Sequence, residues 1–137
     1  MTVETAAKIL IVGGTLNLAV AFAVGFALAR QRDTLKIEEV NPYLPLLHRV
    51  ALWEGFMLLG LVFAVQLSPL SDGAETVAAA LLVASSAFQD GSSFLNWRQG
   101  VLDEFHQRSP GYTLAVINAL LASAGLLILI YGVFKGL

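Results

Sequence analysis

Four stretches of the chain are apolar with few interruptions: residues 9–29, 46–67, 76–95 and 113–134. Each runs to about 20 residues, enough to cross a hydrocarbon layer of roughly 30 Å as a helix rising 1.5 Å per residue. The pattern predicts an all-α, integral membrane bundle of four transmembrane helices, over about 6–29, 46–67, 76–97 and 112–134, in a single domain spanning 1–137. The polar positions inside these runs are ordered. Helix 3 begins plainly as TVAAALLVA, then sets Ser85, Gln89, Ser92 and Asn96 on one face by spacings of four, three and four. Ser86, Asp90, Ser93 and Trp97 form the adjacent row. Helix 1 carries Asn17 near its middle, and helix 4 carries Asn118 about two turns in. Helix 2 opens with His48 and Arg49 in its first turn and holds Glu54 about two turns further on. An ionisable residue at that depth is costly unless something pairs with it, which makes it a functional candidate.

The connections orient the bundle. Residues 30–45, RQRDTLKIEEVNPYLP, mix Arg30, Arg32 and Lys36 with Asp33, Glu38 and Glu39, and Pro45 suits the first position of helix 2. Residues 68–75 hold no basic residue, whereas the stretch after helix 3 holds Arg98 and Arg108. Loops one and three with their helix ends thus carry six cations, Arg30, Arg32, Lys36, Arg49, Arg98 and Arg108, against Lys8 and Lys135 on the opposite side. The positive-inside rule places these loops in the cytoplasm and both termini outside, as expected of a protein of the bacterial inner membrane. On this orientation His48, Glu54, Gln89, Asp90, Ser93 and Asn96 share the cytoplasmic half, and their clustering predicts a polar cavity opening toward the cytoplasm.

Composition agrees with a lipid environment. The chain is 57% hydrophobic and only 13% charged, against about 25% in soluble domains, too little to cover a water-facing surface. A net charge of −2 argues against nucleic acid as a partner. The absence of cysteine excludes disulfides, thiolate nucleophiles and Cys-ligated metal sites, and two histidines make a metal cage built only of side chains implausible. Ala27-Leu28-Ala29 resembles a signal-peptidase site, but the preceding apolar run is too long and the leader MTVETAAK is not basic, so helix 1 is expected to be retained. Ala19, Ala23 and Ala27 form one row of small residues on helix 1, and Ala21, Gly25 and Ala29 form another. Such rows permit close helix approach, within the bundle or between subunits.

Several side chains carry two readings. His48, at a helix start where the dipole disfavours imidazolium, is either a neutral imidazole able to bind metal or an interfacial histidine bonded to headgroups or backbone. Glu54 and Asp90 fit acid–base or substrate-dipole chemistry, or else structural ion pairs with Arg49 or Arg98. Arg49 and Glu54 stand about 140° apart around the helix and suit each other poorly. His106 reads as a solvated loop residue, and Trp53, Trp97 and Tyr112 as interface aromatics or cavity walls.

At helices 2 and 3 the sequence resembles the membrane-embedded styrene oxide isomerases, small four-helix proteins that bind haem b between the subunits of a trimer. That family shows a helix-2 His followed six residues later by Asn-Gly, which here reads His48-Arg-Val-Ala-Leu-Trp-Glu54-Gly55. It also shows Asp-Gly within helix 3, here Asp90-Gly91. The four-helix order and the short second loop match as well. The resemblance implies that His48 is the axial ligand of haem b and that Asp90 lies at the active site. It implies a Lewis-acid isomerisation of a small lipophilic epoxide to a carbonyl, in a homo-oligomer. Two positions depart from the family: its Asn is Glu54, and its helix-3 Tyr, eight residues past the Asp, falls on Arg98. A competing class is a small proton-coupled carrier or exporter working through Glu54, and a third is a non-catalytic membrane subunit. Exporters of that kind place the key Glu in helix 1, where this chain has none beyond Glu4.

Overall fold

A computed structural model describes residues 4–36 and 40–137. Glu38 and Glu39 of the first connection lie outside the described residues. The fold is all-helical: α1 (Thr5–Asp33), α2 (Tyr43–Leu67), α3 (Asp72–Arg98), a single turn α4 (Glu104–Gln107) and α5 (Pro110–Gly136). The four long helices coincide with the four apolar runs, each extended by several residues. The fourth predicted helix is α5, and α4 sits inside what reads as a loop.

Local chemistry sets these ends. The side chain of Asn41 accepts the Tyr43 backbone N–H at 2.9 Å and donates to the Val101 carbonyl at 2.9 Å, so α2 starts before Pro45. Pro45 is therefore the third residue of α2, still in the first turn, where backbone N–H groups have no partner within the helix. Ser71 caps α3, and Asp103 caps α4 by accepting the N–H groups of Phe105 and His106. Ser109 caps α5, with Pro110 at its first position, a pairing that starts a helix sharply.

α1 packs on α2 as one antiparallel hairpin and α3 on α5 as another, with α1–α3 and α2–α3 contacts joining the hairpins. Glycines set two close approaches. A side chain at Gly14 would meet the Gly55 carbonyl and Leu59, and one at Gly125 would meet Leu82 and the Ala78 carbonyl. The apolar core, including Leu10, Leu58, Val65, Leu82 and Leu129, lies toward the end that holds the termini.

Three helices, α1, α2 and α5, are long and apolar enough to cross a membrane. The sequence pattern predicts four such spans. α3 falls short because Ser85, Ser86, Gln89, Asp90, Ser92, Ser93 and Asn96 lower its hydropathy, yet most of these polar groups are buried. The outer surface is the converse, with Phe22, Phe26, Trp53, Phe56, Phe63, Leu127 and Phe134 exposed.

Candidate functional site

His48 is the sixth residue of α2, one turn deeper than the sequence pattern places it. The helix start therefore acts on it only weakly. A different feature sets its state. Nδ1 lies 2.7 Å from the backbone carbonyl oxygen of Ala21 on α1. A carbonyl only accepts, so Nδ1 carries the proton, and in the neutral ring Nε2 keeps a lone pair. The ring reaches that carbonyl because α1 has no side chain at Gly25: a Cβ there would stand 3.0 Å from Cε1 of the imidazole. The row Ala21–Gly25 read as a packing stripe is thus the seat of His48. A ring nitrogen tied to backbone carbonyl, with the other nitrogen free to coordinate, is the usual arrangement of a metal-ligating histidine.

Glu54 lies on another side of α2. It lines a groove of about 310 Å³ with Leu46, Arg49, Val50 and Trp53, and its Oε2 is buried with no hydrogen-bond partner among the described residues. Asp90 on α3 lies within electrostatic reach of Glu54, and its Oδ1 is likewise buried and unpartnered. Asp90 opens into a larger groove of about 420 Å³ between α1 and α3, walled by Val20, Ala23 and Val24 of α1, Leu47 of α2, and Phe94. Leu47 lines that groove while the next residue, His48, seats on α1 at Ala21 and Gly25. His48 is thus seated on α1, while Glu54 and Asp90 line different grooves within electrostatic reach of each other.

The remaining polar residues of α3 mostly hold helices together. Asn118 donates to Gln89 at 2.7 Å, and Ser92 donates to the Gly111 carbonyl at 2.7 Å. Asn96, fully buried, donates to Glu104 Oε2 at 2.6 Å and accepts from Ser109 Oγ at 2.6 Å, while the Glu104 N–H donates to the Tyr43 hydroxyl at 2.8 Å. Asn17 donates to Ser86 Oγ at 2.9 Å. Two buried atoms nearby have no partner, Asn17 Oδ1 and Ser93 Oγ. The polar cavity expected from the clustering is therefore replaced by interhelical hydrogen bonds flanking two grooves with largely apolar walls.

Arg98 is exposed at the end of α3, with its guanidinium 5.7 Å from the ring centroid of Trp97. His106 is exposed on α4, as its setting in the sequence implies. Among the described residues no three His, Asp or Glu side chains group so as to hold a metal ion by themselves. Sequence reading missed the roles of Gly25, Ala21 and Glu104. The signal for the first was present, a glycine inside a small-residue row facing a histidine-bearing helix. Compared with known protein families, with curated proteins and with solved structures, the chain finds no match in any of the three.

Proposed function

We propose that this chain is an integral membrane protein that binds haem b through His48 and isomerises small lipophilic epoxides to carbonyl compounds, as the likeness to the styrene oxide isomerases implies. One observation carries the reading: Nδ1 of His48 is held by the Ala21 carbonyl, so that in the neutral ring Nε2 keeps its lone pair. That donor set fits an axial haem ligand, which needs one neutral imidazole rather than a cage of side chains. When bound, ferric haem supplies Lewis-acid polarisation of an epoxide oxygen.

The protein's share is positioning and desolvation. Ala21 and Gly25 hold the imidazole in one tautomer and one orientation. The apolar walls formed by α1, α2 and α3 keep water from a cationic centre that it would trap as a diol. Glu54 sets the field felt by the substrate carbon on which positive charge develops. The separate settings of His48 and Glu54 within one chain favour a haem shared between subunits, and the exposed small residues Ala19 and Ala27 of α1 offer a surface for a homo-oligomer, a trimer by resemblance.

The outward apolar and inward polar arrangement supports four membrane spans, α3 included, because a helix screened by three others can carry polar groups that lipid would reject. Loops one and three then face the cytoplasm, with the bacterial inner membrane as the location. A second reading, a carrier exchanging protons or cations, is favoured by the unpartnered oxygens of Glu54 and Asp90.

The test is turnover of an aryl epoxide by haem-loaded protein in lipid nanodiscs. Aldehyde should form well above the background of free haem. A haem-loaded sample with no turnover of any lipophilic epoxide would remove the isomerase reading.

A further inference from the structure

The groove between α1 and α3 combines apolar walls with a single carboxylate. Its walls are Val20, Ala23, Val24 and Leu47, and its one charged group is Asp90. The buried Oδ1 of Asp90 has no hydrogen-bond partner among the described residues. An ionised carboxylate among apolar walls is unfavourable until a cation meets it. The chain's own cations do not line this groove: Arg98 is exposed over Trp97, and Arg49 lines the groove of Glu54. Glu54, within electrostatic reach of Asp90, offers it no positive charge.

Phe94 completes the pattern. It stands one turn beyond Asp90, half-exposed, and lines the same groove. A carboxylate beside an aromatic ring is the pairing that recognises alkylammonium groups, because the ring face attracts a cation whose hydration is weak. The volume, about 420 Å³, lies in the range of small-molecule sites, roughly 300–1,000 Å³. A metal ion would want several converging oxygens, and a neutral hydrocarbon would leave the Asp90 oxygen unsatisfied.

We infer that the α1–α3 groove is a binding site for lipophilic organic cations, a quaternary or tertiary ammonium paired with Asp90 and Phe94 while its apolar part lies against Val20, Ala23 and Val24. The site is separate from the face of α1 that seats His48, and it does not depend on haem.

The experiment is equilibrium dialysis of radiolabelled benzyltriethylammonium against full-length protein in zwitterionic lipid nanodiscs, with empty nanodiscs subtracted. The quaternary nitrogen has no lone pair and cannot ligate iron, so the result stands apart from the fate of the epoxide reading. Saturable binding is expected, with the uncharged carbon isostere competing at least about tenfold more weakly. Asp90→Asn should lose at least about tenfold in affinity, Phe94→Leu a smaller factor, and Ala23→Phe, which fills the groove and keeps every charge, should abolish binding. Equal competition by the neutral isostere would overturn the proposal and mark the groove as a seat for hydrocarbon. Unchanged binding in a folded Ala23→Phe variant would overturn it too.

Discussion

Gly111→Val should unfold the end of the bundle that holds loops one and three. A side chain at this position would run into the amide of Asn96, which is fully buried and joins α3 to both neighbours. Asn96 donates to Glu104 and accepts from Ser109, the residue that also caps α5. Moving it breaks two hydrogen bonds, leaves the Glu104 carboxylate without its closest donor, and loosens the cap. Overpacking and unsatisfied buried polar groups each cost about 1–3 kcal/mol, so a combined loss of about 3–5 kcal/mol is expected. In a chain of this length that lowers the melting temperature in detergent by roughly 10 °C or more. Gly60→Ala is the contrast, since a Cβ at Gly60 meets nothing within 4 Å and alanine favours the helix by about 1 kcal/mol. Gly60→Ala should therefore leave the melting temperature unchanged or raise it. Equal melting of the two variants would show that Asn96 does not tie the helices together.

The second large effect is chemical. Glu54→Asn should increase the rate of aryl epoxide isomerisation in haem-loaded protein by at least about tenfold. Glu54 occupies the position where the similar family has Asn, and it lies about 9 Å along α2 from His48 and roughly 120° around it. The two cannot serve one spot from one helix, but they can meet across a subunit boundary. A carboxylate and an amide present different fields to a carbon acquiring positive charge. A carboxyl group traps that carbon when ionised and donates a hydrogen bond when protonated, whereas the amide stays neutral, orients the epoxide and lets the hydride shift proceed. Glu54→Gln separates charge from size and should gain less than Glu54→Asn. Identical rates in wild type and both variants would mean that Glu54 does not set the chemistry.

The long helices were legible because uninterrupted apolar runs leave few alternatives. Their ends were less so, since Asn41 and Ser109 act through contacts with Val101 and Asn96 that no local pattern reveals. α4 is four residues long, below the reach of any periodicity, although the caps Asp103 and Ser109-Pro110 that bracket it are visible in the sequence. The polar face of α3 turns inward as its spacing implies but is used differently: Gln89, Ser92 and Asn96 are consumed by α5 and α4, while Asp90 and Ser93 keep buried atoms without a partner among the described residues. Spacing tells which residues share a face, not which neighbour will satisfy them. The local pattern ties the state of His48 to a helix terminus that lies one turn further away, whereas a carbonyl 27 positions earlier in the chain sets the tautomer.

Haem binding through His48 is the claim on which the account rests, and an absorption spectrum of purified protein supplemented with haem during expression tests it most directly. Wild-type protein should show a Soret band with a stoichiometric share of haem. His48→Ala should lose it while its helical circular dichroism stays intact, and Gly25→Leu, which drives a side chain into the imidazole, should lose most of it. A folded wild-type protein without a Soret band, or a His48→Ala variant that keeps the wild-type spectrum, would contradict the account.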